Sequence, residues 1–117
     1  MIGMKPAAAA VALLILVPGH SGAAGKPSFE DLVANLKSPN GKTREAAALA
    51  LGKSGRRDAV APLAALVRDP EPKVRLEVAR GLGQLKDPAG IPALVTSLGD
   101  GDPQIREEAI GGMVGIY

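Results

Sequence analysis

Shifted against itself by 31 residues, the chain overlays twice without a gap between Gly25 and Tyr117. Phe29, Val60 and Ile91 align, then Leu32, Leu63 and Leu94, then Leu36, Val67 and Leu98. Further along come Ser38 with Asp69 and Asp100, Gly41 with Pro72 and Pro103, Thr43 with Val74 and Ile105, and Arg44 with Arg75 and Arg106. Ala48, Ala79 and Ile110 follow, and Leu51, Leu82 and Met113 complete the match. A fixed period of this length marks an array whose units contact only their neighbours. A unit so small cannot bury its own apolar side. The units must stack, and about three are needed for stability.

Each unit reads as two helices. Val60, Leu63 and Val67 fall at i, i+3, i+7, and Val74, Val78, Leu82 and Leu85 give the next helix its apolar face. Ser28 with Asp31 has the form of a capping box, and Asp58 is placed to cap the third helix. Asp87-Pro88 and Asp102-Pro103 pair an N-cap with proline at the first helical position. Pro62 and Pro92 sit in first turns, where the missing N–H matters least. No segment alternates with the two-residue period of a strand. The expected fold is all-α: a right-handed α-solenoid of three 31-residue helical hairpins, an armadillo-type superhelix, with repeats at about 28–58, 59–89 and 90–117.

Composition fits that architecture. Phe29 and Tyr117 are the only aromatic residues, and the remaining apolar content is small and aliphatic, which suits close helix-to-helix packing. There is no cysteine, which excludes disulfides, thiolate metal sites and a cysteine nucleophile. Lys26 to Arg57 carries a net charge of +4, and the stretch from Asp58 onward a net −3. This is a shallow gradient along the array, not a basic face for nucleic acid.

The run Asp69-Pro70-Glu71-Pro72-Lys73-Val74-Arg75-Leu76-Glu77-Val78-Ala79-Arg80-Gly81-Leu82-Gly83, with Leu63 before it, resembles the short bacterial HEAT repeat, also called the phycobilisome-lyase-like HEAT repeat. The resemblance covers residues 25–117. It implies a ladder in which turn aspartates and second-helix arginines link successive units, a role that falls on Arg44, Asp69, Arg75, Asp100 and Arg106. Ser38 stands where the first unit's aspartate belongs. The resemblance also implies that second helices line a concave face. Away from the apolar stripe these helices carry Lys42, Glu45, Leu49, Lys73, Leu76, Arg80, Gln84 and Glu107, the candidate partner-binding residues. Leu49 and Leu76 admit two readings there: an apolar centre ringed by charge, as interfaces have, or packing between units.

Other motifs carry less. Gly52-Lys53-Ser54 ends a helix and lacks the strand and earlier glycine of a phosphate loop, and Gly55 reads as its C-cap. Asp100-Gly101-Asp102 lacks the further ligands of a calcium loop. Glu107 and Glu108 are neighbours on a helix and point apart, so they make no acid–base pair. Lys53, Arg56 and Arg57 are read as a solvated turn. The one histidine, His20, falls in the leader. No catalytic residue, cofactor site or metal site is assigned.

Residues 1–24 read as a secretory signal peptide. Lys5 opens it, Ala7 to Val17 is uninterrupted and apolar, Pro18-Gly19 breaks the helix, and small residues precede a cut after Ala23 or Ala24. The apolar run is well short of the roughly 20 residues of a membrane span. The expected protein is a periplasmic or secreted, non-enzymatic scaffold that binds a protein or peptide on its concave face. The alternatives are a chromophore lyase or isomerase role, implied by the family name, and a purely architectural segment of a longer array. The last helix, Ala109 to Tyr117, has no charge and three glycines. It is expected to continue into a further unit, to be covered by a partner, or to self-associate. N-terminal sequencing of the protein recovered from cells is expected to begin at Ala24 or Gly25; retention of Met1 would remove the export reading.

Overall fold

The computed structural model describes residues 25–117, so the leader assigned to residues 1–24 lies outside the described residues. The described chain is all-helical. Its six α-helices are α1 (Phe29–Asn35), α2 (Gly41–Gly52), α3 (Val60–Ala64), α4 (Pro72–Leu85), α5 (Ile91–Leu98) and α6 (Pro103–Ile116). Short 3₁₀ turns at Arg57–Ala59 and Pro88–Gly90 lead into α3 and α5. None of these helices is long and apolar enough to cross a membrane.

The helices form consecutive pairs. Each short first helix packs on its own longer second helix, and the second helices α2, α4 and α6 pack side by side as the spine. The spine is close because glycine allows it. A Cβ on Gly52 would lie 2.5 Å from the Gly81 Cα, and one on Gly83 would lie 2.8 Å from the Gly112 Cα. No residue with a side chain fits these crossings without moving a backbone. Gly112 is therefore a packing residue and not merely a weak point of the last helix, whereas Gly111 and Gly115 face open space.

The core runs as one strip through the pairs. Leu51, Leu63, Val74, Val78, Leu82, Leu94 and Ile105 are fully buried. Two aligned positions depart from the pattern. Leu98 is exposed, and Ser97 takes the buried place with its hydroxyl donating 3.3 Å to the Ala93 carbonyl. Ile110 is 53% exposed where Ala48 and Ala79 are fully covered, because no helix among the described residues lies beyond α6.

The local signals act mostly as their chemistry suggests. Ser28 Oγ accepts from the Asp31 amide while the Asp31 carboxylate accepts from the Ser28 amide, both at 3.0 Å. Asp102 caps α6 by accepting from the Gln104 amide, and Asp87 caps its 3₁₀ turn by accepting from the Ala89 amide. Asp58 does not cap the third helix. It lies inside the Arg57–Ala59 turn and accepts from Arg56 instead, so α3 starts without a side-chain cap. The third helix is also shorter than its apolar spacing suggests. After Ala64 the amides of Leu66 and Val67 bond three residues back, which tightens the chain into turns ahead of Asp69-Pro70. Gly55 adopts φ 73°, two residues past the α2 cap Lys53. The matching residue after α4 is Lys86, held left-handed at φ 54° despite its side chain.

Leu82 sits in the middle of the strip at 1% exposure. Leu82→Ala is expected to lower unfolding free energy by about 2–5 kcal/mol in urea melts. A loss below about 0.5 kcal/mol, as at an open surface site, would mean that α4 turns a different face inward.

Candidate functional site

Two surfaces use the charged residues: the row of interhelical turns, and the free side of the second helices.

In the turns, Arg44 and Arg75 make the same two-way grip. Arg44 Nε and Nη2 donate to the two Asp69 oxygens at 2.8 and 3.0 Å, and its Nη1 donates 2.8 Å to the Ser38 carbonyl. Arg75 Nε and Nη2 donate to Asp100 at 2.8 and 3.3 Å, and its Nη1 donates 2.8 Å to the Asp69 carbonyl. The arginine of one pair thus binds its own turn through a carbonyl and the next turn through a carboxylate. This explains Ser38. The Arg44 grip on its own turn uses a backbone carbonyl, which any residue supplies. Arg106 donates 2.7 Å to the Asp100 carbonyl, and among the described residues its fork meets no carboxylate.

The aspartates also hold their own turns. Asp69 accepts from the Glu71 amide and Asp100 from the Asp102 amide, each at 2.9 Å. Burial disfavours charge on Asp69, but the Arg44 guanidinium and the Glu71 amide outweigh it and hold the carboxyl below its ordinary 3.8. Asp100 is lowered likewise: burial opposes the charge, and Arg75 and the Asp102 amide prevail.

Sequence reasoning missed two further links. Arg57 donates to Asp87 at 2.8 Å, and Arg80 joins Glu77 on its own helix to Glu108 on α6 at 3.1 and 3.2 Å. One period back, Lys26 matches Arg57 but Arg56 stands in place of Asp87, so the pair does not recur and periodicity carried no signal for it. Glu77 and Glu108 do stand one period apart, and that match was the available clue. The presumed basic cluster is partly engaged as well. Arg56 lies 3.8 Å over the Phe29 ring, and Arg57 is bound to Asp87.

On the free side of the second helices, Lys42, Lys73, Gln84 and Glu107 are exposed and Glu45 is half-buried. Leu49 is 37% exposed, whereas Leu76 is half-buried against the core. The two leucines therefore differ: Leu49 is exposed, and Leu76 packs. Arg80 is not a free contact residue, because both of its terminal nitrogens are engaged. A shallow groove of about 360 Å³ runs between α2 and α4 past Lys42, Glu45, Glu71 and Lys73. A second, of about 430 Å³, runs between α4 and α6 past Arg80, Gln84 and Glu108. Among the described residues no group of three or more histidine, cysteine or acidic side chains is placed to hold a metal ion. Ser54 Oγ donates to the Leu51 carbonyl at 2.6 Å and finishes a helix.

A family model of HEAT repeats matches residues 29–113. Among solved structures, human deoxyhypusine hydroxylase in complex with glycerol superposes with a TM-score of 0.70 and 26% sequence identity, covering 79% of this chain. The chain spans about a third of the length of that enzyme, 33%. No curated protein matches the sequence.

Two outcomes follow from the ladder. Arg75→Ala is expected to cost about 1–3 kcal/mol, since it strands a buried carboxylate, while exposed Arg68→Ala stays within about 0.5 kcal/mol; equal urea midpoints for the two would refute the ladder's role in stability. A carboxyl whose folded pKa is depressed stabilises the fold above its unfolded value, and that stability is lost as pH falls through the folded value. Melting temperature is therefore expected to fall as pH drops below 3.8, with a shallower fall in Asp69→Asn and Asp100→Asn.

Proposed function

The chain belongs to the HEAT-repeat family, and from that premise we propose that it is an exported, non-enzymatic scaffold that holds a protein or peptide on the free side of its second helices. In this reading the array is a right-handed solenoid of three 31-residue hairpins, and that side is its concave face. HEAT repeats commonly mediate protein interactions. The observation that carries the reading is the division of labour among the charged residues. Arg44, Arg75, Asp69 and Asp100 are consumed in the turns, whereas Lys42, Lys73, Gln84 and Glu107 stay exposed on the same helices as Leu49 or their neighbours, without ion pairs. An apolar centre with a charged rim is the usual anatomy of a protein interface.

A second reading, an architectural segment of a larger array, is favoured by the far side of α6. Ile110 and Val114 are 53% and 71% exposed there, at the positions where α2 buries Ala48 and Gly52 and where α4 buries Ala79 and half-buries Gly83. The same face is the place for self-association.

Capture from a cell-envelope extract distinguishes the readings. Leu49→Asp and Lys73→Glu are expected to reduce recovery of a bound partner at least about tenfold, equivalent to about 1.4 kcal/mol, while Arg68→Glu on the turn side retains it. Loss only on Ile110→Lys, with mass by light scattering falling in step, would favour the architectural reading.

A further inference from the structure

The link between α4 and α6 repeats a geometry that the link between α2 and α4 lacks. Arg80 on α4 reaches Glu108 on α6, 28 residues on, at 3.2 Å. The same offset counted back from Glu77 arrives at Leu49. Leu49 therefore occupies on α2 the position from which Arg80 on α4 grips its neighbour, and Glu77 occupies the position of Glu108.

The consequence is visible at Glu77. Its side chain is only 12% exposed. Oε2 accepts from Arg80, one turn further along the same helix, at 3.1 Å. Oε1 is buried and has no hydrogen-bond partner, the one such side-chain atom among the described residues. A buried carboxylate oxygen without a donor is costly, because it has given up water and received nothing. The nearest cations by helical spacing do not repair this. Lys53 lies one turn beyond Leu49 and Lys73 one turn before Glu77, yet both are exposed and neither forms an ion pair with Glu77. Glu45, one turn before Leu49, is half-buried and makes no ion pair either. The site thus combines a carboxylate with one oxygen left without a donor and an exposed leucine in place of an arginine.

We propose that this position is a seat for a cationic side chain of the bound protein or peptide, an arginine or lysine whose stem lies on Leu49 and whose charged end takes the unpartnered oxygen of Glu77. The inference rests on the concave-face reading and specifies its chemistry. Long basic side chains lay their methylenes on apolar surface while the charged end reaches a polar group. A planar guanidinium presents several donors in a fixed fork, which suits a carboxylate already held on one side by Arg80, so arginine is preferred to lysine. The incoming group reaches Oε1 through a rotation of the unbranched Glu77 chain or a displacement of the exposed Leu49.

The probe is the peptide acetyl-Ala-Leu-Arg-Leu-Ala-amide, with a counterpart carrying citrulline, the neutral isostere of arginine. Titration is followed by the backbone amide signals of Leu49 and Glu77 and by the carboxyl carbon of Glu77. The arginine peptide is expected to move all three, and the citrulline peptide to bind at least tenfold more weakly. Glu77→Gln is expected to lose the same factor. Leu49→Arg supplies the missing cation from within; it is expected to abolish binding and to raise the melting temperature, which checks the seat even if Glu77→Gln folds poorly. Equal binding of the two peptides, unchanged binding by Leu49→Arg, or no movement of Leu49 and Glu77 signals at millimolar peptide would each overturn the seat. Any of these leaves the wider scaffold reading standing on partner capture. Capture that is insensitive to Leu49→Asp and Lys73→Glu, with the arginine peptide still seated, would overturn the scaffold reading and not the seat.

Discussion

The close approach of the three second helices governs the rest of the structure. At Gly52 against Gly81 and at Gly83 against Gly112 the backbones meet with no room for a side chain. That spacing brings each turn within reach of the preceding pair's arginine, so Arg44 can span to Asp69 and Arg75 to Asp100. A larger residue at any of these crossings would part the helices and pull the guanidinium fork off its carboxylate. The apolar strip and the ladder are therefore two results of one interhelical distance. The scarcity of aromatic side chains in the composition belongs to the same constraint.

The ladder has a direction. A turn aspartate bonds its own backbone and receives the arginine of the pair before it, while its carbonyl receives the arginine of its own pair. Asp69 is therefore held by three separate elements, which is why its charge survives burial to 5% exposure. The direction also orders the exceptions. Ser38 needs no carboxylate, because no arginine among the described residues approaches its turn from the preceding side. Arg106 keeps the carbonyl half of the grip and lacks the carboxylate half.

Much of this was legible in the sequence. The period, the helical pairs and the arginines and aspartates of the ladder recur in register, and recurrence is what a structural role imposes on a repeat. The prolines and aspartates of the caps follow from backbone chemistry alone. Three things were hidden for physical reasons. Asp58 fails as a cap because a 3₁₀ turn precedes α3 and places Asp58 inside it, with Arg56 at the capping position that Asp87 holds one period on. The true extent of α3 depends on how the chain turns into Asp69-Pro70, and an apolar spacing does not distinguish a helix from the tight turns that follow one. The glycines at the crossings were read as propensity costs. Their recurrence at the 31-residue repeat period, Gly52 with Gly83 and Gly81 with Gly112, was the overlooked mark of close packing.

The positions that break register are informative about function for the opposite reason. A repeat array reuses one solution for its own cohesion, so a buried or bridging position has little freedom to differ between units. Where neighbouring units do differ at a bridging position, the array forgoes an interaction that it makes elsewhere. Leu49 is such a place. An arginine there would match Arg80 and satisfy Glu77, as Arg80 satisfies Glu108. Cohesion alone favours that residue, and the chain instead carries an exposed leucine, with one oxygen of the Glu77 carboxylate left without a donor. Ile110 and Val114 break register on the far side of α6 in another way, by replacing small residues with large ones. Val114 in particular denies an incoming helix the glycine-to-glycine approach used inside the array, so whatever meets that face packs at a greater distance or in a different crossing. The two departures are thus distinct in kind. One leaves a carboxylate oxygen without a donor on α4, and the other changes the shape of the last helix toward solvent.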